Sequence, residues 1–336
     1  MAAVAAVAAV AAVACGGGSG DADDAAPRGD ETAAVTVATV APEGAPPEVA
    51  PVLPVTVTGA DGVATTVADA SRIIPANGDI AEVVFALGLG DRVVATDVSA
   101  TYPPEADALP EIGYQRTLLA EPMLGLEPTV VVGNTGAGPP GVIEQLRNAG
   151  VPVVIVDHPH DLTGPPAKIR LVAQALGVPA RGEALARQVE AAIDDAAAGA
   201  DRHAGEPPRA ALLYLRGSAV RQVGGAGTGV DALLDAAGAV DVGVELGIDE
   251  FQPLSDEALI RAAPDVLVVT TSGLASVGGV DGLVEIPAVA GTPAGRDRRV
   301  IALDDQLLLG LGPRTGDALR QLVDDLYPST TSGETT

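Results

Sequence analysis

One cysteine, three histidines, one lysine and no tryptophan in 336 residues leave few side chains with which to do chemistry. The lone cysteine, Cys15, excludes an internal disulfide and any zinc or iron–sulfur site built on clustered thiolates. His158, His160 and His203 are too few for a histidine-rich metal centre. Aromatic residues make up only 2% of the chain, so a tyrosine facing a cleft would be conspicuous. Basic residues are scarce: 19 Lys and Arg against 45 Asp and Glu give a net charge of −26. That balance argues against nucleic acid as partner, which needs clustered cations. It also disfavours loose adsorption to anionic lipid. It suits a soluble, monomeric receptor. No G-x-S-x-G elbow, H-E-x-x-H pair or G-x-x-x-x-G-K-[ST] loop occurs, so no enzyme is expected. The run GGAGTG (Gly224 to Gly229) lacks dinucleotide spacing and reads as a turn entering a helix at Asp231.

Ala2 to Ala14 is an unbroken run of Ala and Val. Thirteen residues fall short of the ~20 that cross a bilayer, and match the apolar core of a secretory signal. Cys15 follows directly on Ala12, Val13 and Ala14. Small residues before a lone cysteine resemble a bacterial lipobox, in which the Cys is acylated; Ala12 stands where that pattern usually has Leu. Residues 1–15 are thus read as a lipoprotein signal with its acylated Cys. Gly, Pro, Asp and Ala then dominate without sustained periodicity, so 16–69 reads as a disordered tether and lead-in. The Ser/Thr-rich stretch 328–336 reads as a disordered tail.

Between these ends, apolar patterns alternate between strand and helix. Arg72 to Ile74 reads as a strand, Asp79 to Leu87 as a helix with Ile80, Val83, Val84 and Leu87 on one face, and Arg92 to Thr96 as a second strand. Runs such as TVVVG and VPVVIVD are apolar on both sides, which suits a parallel sheet covered by helices. Two helical stretches without a strand between them, Pro166 to Leu176 and Arg181 to Ala198, break the rhythm, which restarts at RAALLYLRG. The expected class is α/β, with lobes over 70–178 and 207–327 joined by a helix within 179–206. The default ligand site is the cleft between lobes.

Three segments resemble the solute-binding proteins of haem, cobalamin and siderophore importers, and most closely their haemin-binding branch: LPEIGYQRTLLAEPMLGLEPTVVVG, ALLYLRGS and LSDEALIRAAPDVLVV. The resemblance runs from about Ser71 to Leu326. It implies two Rossmann-like lobes on one long stiff helix, haem as ligand, and delivery to an ABC permease. In that branch, the positions of Tyr114 and Tyr214 supply haem iron ligands, and an arginine at Arg216 supports the tyrosine. One glutamate per lobe, here Glu121 and Glu257, meets the permease. A siderophore or cobalamin is the alternative ligand.

The chemistry is coherent. Ferric iron is a hard cation, and tyrosine oxygen is an established haem ligand. A free phenol ionises only near pH ~10, so a metal or a neighbouring cation must favour the phenolate. Tyr214 and Arg216 lie two apart on an expected strand, hence on one face, where the guanidinium can donate to the phenolate. Haem propionates require cations; Arg116, Arg221 and Arg72, with His158 after a strand, are the candidates.

Overall fold

The computed structural model describes residues 50–328, except 159, 204, 218, 219 and 254. Cys15, the apolar leader, residues 16–49 and the tail 329–336 lie outside the described residues.

The first lobe opens with a surprise for the sequence reading. The lead-in up to residue 69 is not irregular: β1 (Val55–Thr58) and β2 (Ala64–Val67) form an antiparallel hairpin in the register Val55 to Val67. Strict alternation buries Val57 and Val67 and exposes Thr56 and Thr66. The hairpin is tied to the lobe by Ala60 N–H to Ile155 O (2.7 Å) and Thr65 Oγ1 to Val153 O (3.2 Å). Four residues per strand were too short for the periodicity to stand out.

β3 (Ile73–Pro75), α1 (Gly78–Ala86), α2 (Pro104–Asp107), α3 (Ala120–Gly125), β4 (Val130–Asn134), α4 (Pro140–Asn148) and β5 (Val153–Val156) complete the lobe. β3, β4 and β5 pair in parallel, in that order. Every residue of these strands is buried, as strands covered on both faces require. The strand expected over Arg92 to Thr96 is reduced to single parallel bridges, Val93 to Ile73 and Thr96 to Glu111. These nevertheless extend the sheet by two backbone rows beyond β3.

α5 (Gly164–Ala175) packs on α6 (Pro179–Ala200), the long connecting helix. Its buried stripe, Gly182, Ala186, Val189, Ile193, Ala196 and Ala200, repeats at three- and four-residue spacing. The stripe is mostly small because the helices approach closely: a Cβ on Gly182 would lie 2.2 Å from Ala173 Cβ.

The second lobe contains β6 (Arg209–Arg216), β7 (Val220–Gly224), α7 (Val230–Ala236), β8 (Val240–Asp241), α8 (Val242–Glu245), β9 (Phe251–Gln252), α9 (Asp256–Ala262) and β10 (Val266–Thr270). Four short helices follow, α10 (Thr271–Ser276), α11 (Gly279–Val284), α12 (Pro287–Ala290) and α13 (Pro293–Arg296), then β11 (Val300–Leu303), α14 (Asp305–Leu309) and α15 (Thr315–Leu326). The sheet order is β11-β10-β6-β7-β9, with β8 also on β6. β11, β10, β6 and β8 run parallel, but β7 turns back antiparallel to β6 and β9 pairs antiparallel to β7. One large apolar core runs from Val57 through the α5–α6 pair to α15, and each lobe adds a smaller cluster on the outer face of its sheet.

Candidate functional site

Ligands of open α/β sheets bind outside the carboxyl ends of the strands. Here the carboxyl edges of the two sheets face one another, because the residues that follow β3 and β11 are bonded together. Gln306 Nε2 donates to Gly78 O (2.9 Å), Glu82 Oε2 (3.0 Å) and Tyr102 O (3.1 Å), while its Oε1 accepts the Tyr102 N–H (3.0 Å). Arg314 forks onto Glu82 at 2.9 and 3.0 Å and lies 3.6 Å over the Tyr102 ring. Buried Lys168 pairs with Asp79 and donates to Gly310 O (3.0 Å). Burial raises the Glu82 carboxyl above its usual range, with Arg314 offsetting part of the effect. Elsewhere, His160 Nδ1 lies 2.7 Å from Gly227 O. A carbonyl only accepts, so Nδ1 carries the proton.

On the second lobe, Tyr214 and Arg216 share the face of β6 that carries Ala210 and Leu212, while Leu213 and Leu215 turn into the outer core. The Tyr214 ring is half-buried, 5.3 Å from that of Phe251. The Arg216 guanidinium lies 4.5 Å over the phenol ring. It is held by Asp305 (3.1 Å) and by donating to Leu215 O (2.9 Å), and Asp305 also accepts the Ser272 N–H (3.0 Å). The expected hydrogen bond from the guanidinium to the phenol oxygen is not among the contacts of the described residues; the cation lies over the ring face instead, because Asp305 and Leu215 O take its donors.

On the first lobe, Tyr114 follows the outermost bridged row and is 42% exposed. Its loop is pinned on one side by Ile112 N–H to Thr96 O (2.8 Å) and Val98 N–H to Gly113 O (3.2 Å), and on the other by Gly138 N–H to Gln115 O (2.8 Å). Asp97, in the neighbouring stretch, is 1% exposed, and its carboxylate receives Ser99 Oγ at 2.8 and 2.9 Å. Burial pushes Asp97 up to about 7. Arg116, on the turn after Tyr114, is exposed and has no anionic partner among the described residues, which leaves it open to an anion.

Three of the proposed cations are placed differently from expectation. Arg72 sits at the amino end of β3, where its guanidinium donates to Leu126 O (2.6 Å) and Glu127 O (2.9 Å). It closes the end of α3 at the sheet edge away from the cleft. Arg221 is opposite Leu215 in the β6–β7 ladder, so it shares the outer face with Leu213 and Leu215 and pairs with Asp256 at 3.3 Å. The antiparallel return of β7 determined that facing. His158 is half-buried with its Nδ1 unpartnered, and burial lowers its pKa. A neutral imidazole is a poor counter-ion for a carboxylate.

Glu121 and Glu257 are exposed in the first turns of α3 and α9. Neither carboxylate caps its helix: Ser255 caps α9, and α3 has no side-chain cap. The sequence reading missed Asp97, Tyr102, Asp305, Gln306 and Arg314. Only one signal pointed to any of them: Asp305 and Gln306 come just after the end of a parallel strand, separated from it by Asp304, where cleft residues arise.

The family model described as "Periplasmic binding protein" matches residues 73–307. The structure is similar to that of the periplasmic heme-binding protein RhuT from Roseiflexus sp. RS-1 in apo form, with a TM-score of 0.75 and 55% identity, covering 77% of this chain and 98% of that one. An ABC transporter substrate-binding lipoprotein of Bacillus subtilis, YvrC, itself uncharacterized, is 24% identical over 83% of this chain and 87% of its own. A vitamin B12-binding protein of Pectobacterium carotovorum is 29% identical over 43% of this chain and 50% of its own. With two facing α/β lobes on a connecting helix and a family match spanning both sheets, the chain belongs to the periplasmic binding proteins.

Proposed function

We propose that this protein captures haem in the cleft between its lobes and delivers it to the permease of an ABC importer. The observation that carries the reading is the Tyr214–Arg216–Asp305 arrangement at the carboxyl end of β6: a phenol beside an anchored guanidinium. Phenol oxygen is a ligand that ferric haem iron takes, and the guanidinium stacked on the ring fixes its orientation. The 55% identity with a protein described as heme-binding supports the same ligand.

In this reading Tyr214 and Tyr114 ligate the iron from opposite lobes, and Arg216 holds Tyr214 in place. Arg116 meets a propionate, since it follows Tyr114 by two residues and is the one candidate arginine that is exposed and without an anionic partner among the described residues. Glu121 and Glu257 contact the permease, one from each lobe. The leader and Cys15 export the chain and anchor it by a lipid outside the cytoplasmic membrane, with 16–49 as tether; the lipoprotein relative is in keeping with this. The role is capture and release by a monomer, with no chemical turnover.

The test is a haemin titration of the soluble domain followed by its Soret band, for wild type, Tyr114→Ala and Tyr214→Ala. Each substitution should alter the bound spectrum and weaken binding at least about tenfold, which is ~1.4 kcal/mol. Unchanged spectra for both would remove the ligand assignment, even if haem binds. The relationship to vitamin B12-binding proteins favours cobalamin as the second reading. Cobalamin binding without a haemin-induced Soret band would establish it instead.

A further inference from the structure

We infer that Gln306 is a positioning residue for Tyr214: it fastens the first turn of α14 to the first lobe, and through its neighbour Asp305 that turn holds Arg216 against the phenol. The inference rests on the haem reading above. Strand register brings the parts together. Leu303 of β11 pairs with Thr270 of β10, and Val269 of β10 with Leu213 of β6, so by the same register Tyr214, Thr270 and Leu303 stand in step. Arg216, Ser272 and Asp305 each lie two residues further along the chain, at the carboxyl edge of the sheet. There the Asp305 carboxylate accepts from the Arg216 guanidinium (3.1 Å) and from the Ser272 N–H (3.0 Å). The guanidinium in turn lies 4.5 Å from the centre of the Tyr214 ring. The carboxylate thus sets where the cation sits, and the cation sets the ring.

Asp305 is the first residue of α14 and Gln306 the second, and Asp304 caps the turn by accepting the Leu307 N–H (3.0 Å). Consecutive helical residues project about 100° apart, so the two side chains leave one turn in different directions. Asp305 reaches Ser272 and Arg216 of its own lobe, while Gln306, 7% exposed, reaches the first lobe. Its Nε2 has Gly78 O, Glu82 Oε2 and Tyr102 O within 3.1 Å. Its Oε1 accepts the Tyr102 N–H (3.0 Å) and Thr101 Oγ1 (3.3 Å). A buried amide bound at both ends is fixed in position and orientation. Lys168 and Arg314 also join this segment to α1, but at Gly310 O at the far end of α14 and from the start of α15. Neither grips the turn that carries Asp305. Without the Gln306 amide, that turn is tied to the second lobe alone. A ferric centre shared between lobes needs Tyr214 placed against the first lobe and not merely within its own sheet.

The test uses the soluble domain with haemin as probe: Gln306→Ala, Asp305→Ala and Arg216→Ala, and the first two each combined with Arg216→Ala. Alone, Gln306→Ala and Asp305→Ala should each speed haemin release about tenfold, the scale on which groups behind a metal ligand act. Both should shift the Soret band in the same direction as Arg216→Ala. With Arg216→Ala present, neither should add a further effect, because the group through which they act is gone. A Gln306→Ala protein that loses stability in urea yet keeps wild-type release and spectrum would overturn the inference, since its role would then be structural only. So would an effect of Gln306→Ala that adds in full to that of Arg216→Ala. Should Gln306→Ala not fold, Gln306→Asn carries the same comparison, because its shorter side chain cannot span to both Gly78 and Tyr102. A wild type that binds no haemin, or a Tyr214→Phe with an unaltered spectrum, would refute the haem reading or its ligand assignment, and the inference with it.

Discussion

Asp97 should make the stability of this protein fall as pH rises through neutrality. Its carboxyl is 1% exposed, and burial lifts its pKa from 3.8 to about 7. Between those values the folded chain holds a proton that the unfolded chain has released. The slope of unfolding free energy with pH follows protons bound when unfolded minus protons bound when folded, and is negative here. The contribution is complete below 3.8 and disappears as pH rises through about 7. From about pH 5 to about pH 8, this one group costs about 2.5 kcal/mol. For a chain of this size that is roughly 5–10 °C in melting temperature. Other groups contribute too. Glu82 and Asp241 are also raised by burial and add the same sign, whereas His158, lowered by burial, adds the opposite one. The Asp97→Asn variant isolates the effect. It keeps the shape and the acceptor but cannot ionise, so thermal or urea unfolding across this range should show its slope flatter than wild type by that amount. Parallel pH profiles for the two proteins would refute the reasoning.

Three further perturbations probe the junction and the packing. Gln306→Ala leaves the Tyr102 backbone and Gly78 O without their partner across the lobes, and should cost about 2–3 kcal/mol in urea unfolding; a change below about 0.5 kcal/mol would mean that water replaces it fully. Lys168→Met strands Asp79 as a buried unpaired charge, for about 3–5 kcal/mol, and adding Asp79→Leu should restore part of the loss. A double variant less stable than Lys168→Met would contradict this. Gly243→Ala would set a Cβ 1.9 Å from Gly224 O, a backbone atom that cannot swing aside. Its melting point should drop by the several degrees that ~2 kcal/mol or more of overpacking brings, and a wild-type melt would show that α8 can shift.

What could be read in advance followed from periodicity and local chemistry. The all-apolar runs of β4 and β5, the amphipathic spacing of α1 and the two consecutive helices between the lobes are local patterns, and the structure reproduces them to within a few residues. The common face of Tyr214 and Arg216 was equally legible, because it depends only on the two-residue period of a strand. The facing of Arg221 was not. It depends on which residue of β6 lies opposite it, and that register cannot be deduced from one strand alone. Arg72 was misplaced for a related reason: a position in the chain does not say which edge of a sheet it will occupy. Tyr102 stands beside Pro103 and Pro104 without any motif around it, yet Gln306 and Arg314 reach it from more than two hundred positions away. Asp97 carried no motif at all, and its raised pKa comes from a burial that only the folded chain provides. Helices, strands and the face of a side chain thus answer to neighbours a few residues apart, whereas the cleft, its buried charges and its pairing across the lobes arise only when distant segments exclude water together.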